Sequence, residues 1–497
     1  MTHPITRRDA LRGLAAGAAG LAAQSALPGL ARAQNEPPAP PAPDPRFLIV
    51  LTATGGASII DAMLAIRASE SRNAATINTF PDAMVQSIDG SPFRAIDQNL
   101  RDLGPLPYRG DANQSDFVRR HAADMMVVTH TGTSVNHLIA QKRALTGNEA
   151  HGGRTLQELV AATYGHGFLV PNVNMSVGGY IEPGIDTTLP DHARGEPVTD
   201  ATTWFSGLHG SRGILGAPAS GLIERARATR GRIDDRSVFA RTFPESTALT
   251  RWRRQRGQQA PAIEGADLIT RMNILPDAPP VIPLSRYGLA SSPDAARVRE
   301  AFPLFASDPL DAQGALAYML LTNGVSVTVT LGPGLSPGVG GQQIVDSPPL
   351  AFDFSHTAHR GTQALMWSRL LSVADRLIGL LQGTEFRDGQ SYWDRSLLYV
   401  ATDFGRTRNR PANANEFSSG HHLNNGSLIV SPFVNGNRVL GGVDPDTGLT
   451  YGFDPRTGDP ERGRNMAERE IFAGIAQALG VDTAAAGLPD VPAMRRG

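Results

Sequence analysis

Five short apolar runs, each without polar alternation and each closed by glycine or proline, most constrain what this chain can fold into. Such runs are typical of strands buried on both faces, as in a parallel sheet. They are RFLIVLTATGG (46–56), DMMVVTHTG (124–132), VSVTVTLGPG (325–334), SLLYVATDFG (396–405) and GSLIVSPF (426–433). Between them, apolar residues at three- and four-residue spacing predict helices over 137–147, 154–165, 362–383 and 467–480. The sequence therefore predicts an α/β fold, with a mostly parallel sheet flanked by helices on both faces.

One long segment, from about 170 to 315, breaks this rhythm with clusters of proline, glycine, arginine and polar residues. We interpret it as a loop-rich cap inserted into a single domain that spans 47–490, with a separate small domain as the alternative. It contains the basic run RWRRQRGQQ (251–259), which we interpret as a solvated face before a binding patch. The formal net charge of the whole chain is −1, so no nucleic-acid partner is expected.

The N-terminus has the pattern of an export signal. Arg7 and Arg8 precede a mild Ala/Leu/Gly stretch that ends at Ala33. This predicts a twin-arginine signal peptide over 1–33, cleaved after Ala33, and a Pro-rich linker over 34–46. The alternative, an amphipathic helix of the fold, is disfavoured because the stretch is rich in glycine.

The export signal has consequences for location and partners. Glutamine, serine and proline interrupt its apolar stretch, so no permanent membrane span is expected in the mature chain. We expect the twin-arginine export machinery as a partner, and delivery to the periplasm or the extracellular space.

Polar side chains follow the predicted strands. Because the carboxyl ends of parallel strands meet at one edge of a sheet, these side chains are expected to converge there. The chain has no cysteine, so metal ligands must be oxygen or imidazole, and a mixed Asp/His set favours Zn or Mn. The candidate site residues at this edge, whether metal ligands or catalytic groups, are Asp61, Ser134, His137, Asp353, His356, His359, Asp403, Arg406, His421 and His422.

Three motifs resemble the alkaline phosphatase and sulfatase superfamily. SLLYVATDFG is similar to its strand-plus-DHG motif, which implies Asp403 as a metal ligand and puts Phe404 where the superfamily has histidine. FDFSHTAH resembles the Asp-plus-His element, which implies Asp353 with either His356 or His359. SSGHHLNNGSLIV resembles the late histidine motif, which implies His421 or His422.

A narrower resemblance is to the exported domain-of-unknown-function 1501 (DUF1501) family, itself regarded as alkaline-phosphatase-like. It is carried by the twin-arginine leader, Gly55-Gly56, His137 ahead of Thr146-Gly147, Asp403 to Thr407, and His421-His422 with Asn425. The resemblance implies an alkaline-phosphatase-like sheet and a site for anionic esters. It also implies Asp61 as the stand-in for the first-strand carboxylate.

The nucleophile and the roles of single residues stay open at this stage. His137 stands where sulfatases have their nucleophile, and Ser134, Thr133 or Thr131 could substitute. Arg406 either pairs with Asp403 or holds an anionic substrate oxygen. His421 and His422 point in opposite directions if extended, so at most one is expected as a ligand.

These observations predict a metal-dependent hydrolase of phosphate or sulfate esters. A pair of divalent ions would clamp the attacking and leaving oxygens, and a metal-bound water would replace the missing nucleophile. Arg406, His137 and Ser134 are the predicted catalytic residues. The predicted metal ligands are Asp403, Asp353, His356, His421, His422 and Asp61. The alternative is a non-catalytic envelope binding or assembly protein with a degenerate site.

Overall fold

The computed structural model describes residues 44–96, 114–147, 153–175, 184–207, 218–276, 284–333 and 352–496. The predicted signal peptide and most of the linker lie outside these ranges. The described chain forms two compact units, one of residues 44–202 with 301–496 and one of residues 203–300. The smaller unit falls within the segment for which a cap is predicted.

The strands are β1 (Phe47–Thr52), β2 (Val85–Ser87), β3 (Arg94–Ile96), β4 (Met125–Thr131), β5 (Asn172–Asn174), β6 (Glu196–Pro197), β7 (Thr328–Leu331), β8 (Glu385–Arg387), β9 (Gln390–Ser391), β10 (Ser396–Ala401), β11 (Gly405–Arg406), β12 (His421–His422), β13 (Asn424–Val430), β14 (Arg438–Leu440), β15 (Gly442–Val443), β16 (Thr450–Phe453) and β17 (Pro460–Glu461). The α-helices are α1 (Gln114–His121), α2 (His137–Gln141), α3 (Leu156–Tyr164), α4 (Ser220–Arg236), α5 (Val238–Thr242), α6 (Thr247–Gly265), α7 (Leu268–Met272), α8 (Ala295–Ala301), α9 (Pro309–Thr322), α10 (His359–Gln382) and α11 (Glu468–Ala478).

The larger unit is built on an eight-stranded sheet in the order β14-β4-β13-β10-β1-β7-β5-β6. Every pairing is parallel except the two that β13 makes with β4 and β10. In register, Thr52 lies opposite Ala401 and Thr131 lies opposite Asn424. Strands β1, β4 and β10 therefore end at the same edge at which the antiparallel β13 begins.

Both faces of this sheet are covered. All six residues of β1 and of β10 are buried, and successive side chains of a strand point to opposite faces. The helices form two groups, with α10 packed on α1 and α9, and α3 packed on α11. The predicted α/β fold with a mostly parallel sheet flanked by helices is confirmed.

The five predicted apolar runs correspond to β1, β4, β7, β10 and β13. Two features were not predicted. The direction of β13 is antiparallel, and β5 and β6 belong to the sheet although they lie inside the segment predicted as a cap. The direction of β13 could not be predicted because an apolar run carries no signal of direction. Strands β5 and β6 were missed because strands of three and two residues are too short to show a pattern.

The smaller unit is helical and polar. Its longest described helices, α4 and α6, have 17 and 19 residues. Ile223 is the one described large apolar side chain of α4 that is buried, whereas Leu222 and Ile233 are exposed. Within the described ranges, no helix combines the length and the apolar character that crossing a bilayer needs.

Candidate metal centre

Four of the sequence-predicted residues come together at the strand-end edge of the larger unit. His137, Asp353, His356 and His421 each offer one ligand atom, and these atoms all lie within 4.8 Å of one another. No other group of three or more such residues occurs in the described part of the chain. We refer to these four residues as the His137 cluster.

The His137 cluster is centred on one carboxylate oxygen. Asp353 Oδ1 lies 3.1 Å from His137 Nε2, 3.3 Å from His356 Nε2 and 3.8 Å from His421 Nε2. The Nε2 atoms of His356 and His421 are 2.8 Å apart. Three imidazole nitrogens and one carboxylate oxygen therefore face one point.

Different elements supply the four side chains. His137 opens α2, six residues after β4 ends at Thr131. Asp353 and His356 lie on a single 3₁₀ turn, Phe352–His356, just before α10. His421 lies on β12, opposite Arg406 of β11 in an antiparallel pair. Because β13 runs antiparallel, the residues before it reach the edge where the parallel strands end.

The other ring nitrogen of two of these histidines is held by an acceptor. His137 Nδ1 lies 2.9 Å from Asp403 Oδ2, and His421 Nδ1 lies 2.8 Å from the carbonyl oxygen of Val135. An acceptor at Nδ1 keeps a proton on that nitrogen and leaves Nε2 for a ligand. Metal-binding histidines almost always have such a partner.

The glycine pair after β1 allows the cluster to form. Gly55 and Gly56 have φ of +95° and +88°, a region that side chains disfavour. A Cβ atom on Gly55 would lie 2.3 Å from the backbone nitrogen of Asp353, and one on Gly56 would lie 2.8 Å from Arg406 Nε. The turn can therefore pass directly beneath Asp353 and Arg406, and Gly55 N donates to Asp403 Oδ2.

Arg406 is buried and holds Asp353 in place. Its Nη2 donates to Asp353 Oδ1 at 2.9 Å and also to the carbonyl of Gly55, and its Nη1 donates to the carbonyl of Ser419. Burial lowers the pKa of Arg406, while Asp353 acts to raise it. The sequence left two roles open for Arg406, a salt bridge with Asp403 or a contact with an anionic substrate oxygen. In the structure the guanidinium forms its salt bridge with Asp353 instead of Asp403.

The cluster concentrates opposite charges. Burial lowers the pKa of His137, but hydrogen bonds with Asp353 and Asp403 outweigh burial and raise that pKa to about 9. Burial would raise the pKa of Asp353, yet hydrogen bonds from His137 and Arg406 hold it well below its usual range. Burial lowers the pKa of His356 and of His421, and the cation of Arg406 adds to this. In the metal-free protein, His137 carries the proton and the other two imidazoles are neutral near pH 7.

The donor set fits Zn²⁺ or Mn²⁺. Imidazole nitrogen and carboxylate oxygen, without thiolate, suit both ions. The side chains of Asp353 and His356 are 39% and 45% exposed, so a water or substrate can reach the point that the four atoms face. In addition, Asp403 Oδ1 is buried without a hydrogen-bond partner among the described residues, and a bound water or ion commonly accounts for such an atom.

Besides Arg406, four predicted site residues lie outside the cluster. Asp403 sits behind His137 as the acceptor for its Nδ1, not among the four facing atoms. His422 points away from His421, and its Nε2 lies 2.6 Å from Arg408 Nη1. Ser134 Oγ accepts from the backbone nitrogen of Asn136 in the turn before α2. Asp61 belongs to a separate buried group.

That buried group contains Asp61, Asn78, His359 and Arg360. Both carboxylate oxygens of Asp61 accept from Asn78 Nδ2 at 3.0 Å, and His359 Nε2 lies 3.0 Å from Asp61 Oδ2. Arg360 donates to Asn78 Oδ1. Asp61 stands three residues beyond Ser58 in a 3₁₀ turn directed into the core, which removes it from the strand-end cluster. We refer to this group as the Asp61 cluster.

Sequence reasoning missed the side-chain amides that hold the Gly55-Gly56 turn. Gln363 donates to the carbonyl of Gly56 and accepts from Ser58 N. Asn425 accepts from Ile59 N and donates to the carbonyl of Ala57. Gln363 lies on the buried side of α10, and a polar residue on such a face is the one signal that could have identified it.

No protein-family model matches the chain, and no curated protein matches it in sequence. Nine chains of solved structures match it. One of these is described as "Crystal structure of Ps i-CgsB in complex with k-i-k-neocarrahexaose". It is 9% identical to this chain, and the match covers 90% of this chain and 74% of the other with a TM-score of 0.29. A TM-score that low carries no argument about fold or function.

Proposed function

We propose that this chain is an exported, metal-dependent hydrolase of phosphate or sulfate esters with an alkaline-phosphatase-like fold, as its resemblance to the DUF1501 family implies. The observation that carries the proposal is the convergence of three imidazole Nε2 atoms on Asp353 Oδ1. A divalent ion bound there would lower the pKa of a coordinated water and polarise the ester oxygen.

A proton and a metal ion compete for the same place. In the metal-free state, protonated His137 donates through Nδ1 to Asp403 and through Nε2 to Asp353. Nε2 has to lose its proton before that nitrogen can coordinate, while Nδ1 keeps its own because Asp403 accepts it. Binding of Zn²⁺ or Mn²⁺ is therefore expected to release about one proton per site near pH 7.

The chain's own residues orient the reaction. Arg406 fixes Asp353 through a hydrogen bond from Nη2, and its two Nη atoms also donate to the backbone carbonyls of Gly55 and Ser419, so it acts as a positioning residue. Ser134 has no basic side chain hydrogen-bonded to its hydroxyl among the described residues. Water is therefore the nucleophile that this arrangement supports best.

The first test is metal binding. Purified protein is titrated with Zn²⁺ and with Mn²⁺, and bound metal is measured by elemental analysis. One ion per chain is expected for the wild type and for His422→Ala, the neighbouring histidine that faces away. His421→Ala and Asp353→Asn should lose it. The metal proposal fails if the wild type binds no metal above background, or if all four proteins bind alike.

The second test is hydrolysis. Metal-loaded protein is assayed with p-nitrophenyl phosphate and p-nitrophenyl sulfate, beside His421→Ala, Ser134→Ala and His422→Ala. Activity is expected in the wild type, Ser134→Ala and His422→Ala and not in His421→Ala. Loss of activity in Ser134→Ala with metal retained would make serine the nucleophile. Metal binding without hydrolysis of either ester would refute the hydrolase.

One observation favours the second candidate function, a non-catalytic envelope binding or assembly protein. The ring of Phe404 stacks on the imidazole of His421, with centroids 4.0 Å apart, and lies 4.7 Å from that of His137. The resemblance to the superfamily implies a histidine ligand of a second ion at that position. The four converging donors thus suit one ion, whereas the two-ion clamp on a phosphoryl group needs a second.

A further inference from the structure

The helical unit of residues 203–300 concentrates positive charge in a nearly neutral chain. Residues 221–256 contain ten arginines and four carboxylates, a net charge of +6, while the formal net charge of the whole chain is −1. The rest of the chain is therefore net acidic, and the positive charge is local to helices α4, α5 and the start of α6.

The four carboxylates do not neutralise this surface. Asp234 and Asp235 form ion pairs with Arg256 and Arg253 of α6, within the unit. These two pairs leave most of the arginines on the solvent side. Arg225, Arg236 and Arg241 are exposed, and none of the three forms an ion pair with a described residue.

The same helices expose large apolar side chains. Val238 is 71% exposed, Phe239 is 60%, Phe243 is 49% and Trp252 is 48%. The rings of Phe239 and Phe243 lie 5.1 Å apart, one helical turn from each other. We refer to Val238, Phe239, Phe243 and Trp252 as the Phe239 surface.

The Phe239 surface is connected in space. Phe239 and Trp252 line the same open cavity of about 460 Å³, together with Leu249. The guanidinium of Arg256 lies 4.1 Å above the ring of Trp252, and Arg253 borders the cavity. Aromatic and aliphatic side chains are thus framed by arginines, the composition of helices that lie in the headgroup region of a membrane.

We propose that the Phe239 surface docks peripherally on an anionic lipid bilayer. The arginines would pair with lipid phosphates while Val238, Phe239 and Phe243 enter the boundary between headgroups and acyl chains. A water-soluble polyanion would use the arginines but would leave these apolar side chains in water. A second copy of the chain would bring an equal net charge of +6 against the first, which opposes self-association through this face.

The test uses the full chain and two sets of vesicles, one of phosphatidylcholine alone and one in which part of it is replaced by phosphatidylglycerol. Two variants are compared, Val238→Ser/Phe239→Ser/Phe243→Ser and Arg225→Gln/Arg236→Gln/Arg241→Gln. Leu304→Ser and Arg119→Gln are the controls, since both side chains are exposed on the larger unit. Every protein keeps the same N-terminus, so lipid binding by that segment is common to all.

We expect salt-sensitive co-sedimentation of the wild type and both controls with anionic vesicles. The arginine variant should bind about 100-fold more weakly, since each arginine near such a surface contributes about fivefold. The serine variant should bind anionic vesicles more weakly than the wild type, because it keeps the arginines but has lost the apolar side chains that insert. A blue shift of tryptophan emission on anionic vesicles, absent in Trp252→Phe, would place the surface at the bilayer without altering the arginines. Far-UV circular dichroism equal to that of the wild type shows that the helical unit is folded in each variant.

Several results would overturn the proposal. Equal binding of the wild type to both kinds of vesicle would show that the arginines do not contribute to binding. An equal loss of binding in the two controls would show that binding is not located at the Phe239 surface. A lipid-free dimer that the serine variant abolishes would assign the surface to a second copy. Binding to an acidic polymer but not to anionic vesicles would assign it to a polyanion.

Discussion

The larger unit holds two groups of histidine and carboxylate that look alike in residue type and distance. In the His137 cluster, His137 Nε2 lies 3.1 Å from Asp353, and in the Asp61 cluster, His359 Nε2 lies 3.0 Å from Asp61. Each has an arginine beside it. The side chains of Asp61 and His359 are 0% exposed, whereas those of the His137 cluster are 20–45% exposed.

The difference lies in where the second ring nitrogen points. His137 and His421 have acceptors at Nδ1, so Nε2 is left for a ligand. His359 Nδ1 is buried without a hydrogen-bond partner among the described residues, and its Nε2 is used in the contact with Asp61 and is not left for a ligand. Pairing distance therefore does not distinguish a metal site from a structural ion pair, whereas the tautomer and access to solvent do.

The largest effect should come from breaking the buried pair. Asp61→Ala leaves His359 and Asn78 with buried donors, and removing one partner of a buried pair costs about 3–5 kcal/mol in the free energy of unfolding. Urea unfolding measures this. Zn²⁺ affinity of the folded protein should not change, because Asp61 is outside the His137 cluster.

The control for this substitution is Asp446→Ala, which removes an exposed pair with Arg72. Such surface pairs contribute about 0–1 kcal/mol. The structural role of the Asp61 cluster would be rejected if the two variants lost similar stability, or if Asp61→Ala lost its metal along with its stability.

A third histidine shows the effect of burial in the absence of an ion-pair partner. His130 is buried and faces Ser427 instead of a carboxylate, and burial lowers its pKa from 6.5 to about 4. The unfolded chain therefore binds this proton more tightly, so the folded protein loses stability as pH falls from about 6.5 to about 4. The loss is about 3 kcal/mol and is complete below that window.

Urea unfolding at several pH values, in the wild type and in His130→Gln, isolates this contribution. The difference in unfolding free energy between the two proteins should fall with decreasing pH in that window and be flat outside it. Parallel pH curves for the two proteins would show that His130 titrates normally.

A smaller effect, on metal affinity, is expected from Asp403, which lies behind His137. Asp403→Asn keeps the shape of the side chain but weakens the acceptor at His137 Nδ1, which orients the ring. Substitutions of such partners typically weaken metal binding by about 10–100-fold. Competition titration with a chelator measures the change. A loss as complete as that of Asp353→Asn would make Asp403 a ligand itself.

Much of the fold was accessible from sequence because buried strands need continuous apolar runs. The runs ending near Thr52, Thr131 and Ala401 predicted β1, β4 and β10, and their shared edge predicted that His137 and Asp353 would meet. The direction of β13 was not accessible, since hydrophobicity is the same in both directions.

The roles within the site were harder to predict. Asp403 and Asp61 both follow strand ends and carry the same carboxylate, yet one orients His137 and the other is buried against His359. That outcome depends on the path of the Gly55-Gly56 turn and on where α10 begins. Composition and spacing do not contain this information.

The smallest effect is expected at His422, which differs from His421 only in the direction it faces. On the two-residue strand β12, neighbouring side chains point to opposite sides, so His421 joins the cluster while His422 meets Arg408. A neutral imidazole accepts at one nitrogen, so His422 takes a hydrogen bond either from Asn424 N at Nδ1 or from Arg408 at Nε2. His422→Ala should therefore cost about 0.5–1.5 kcal/mol in the free energy of unfolding, as loss of a part-buried hydrogen bond does.

Metal affinity should be unchanged in His422→Ala, and Zn²⁺ titration beside His421→Ala checks this. Burial lowers the pKa of His422, and Arg408 lowers it further, so His422 is neutral near pH 7 and is chemically as able to bind metal as its neighbour. Equal loss of Zn²⁺ in the two variants would mean that residue type governs this site. Loss of Zn²⁺ in His421→Ala alone would mean that the direction in which each side chain of β12 points decides which of two adjacent histidines is a ligand.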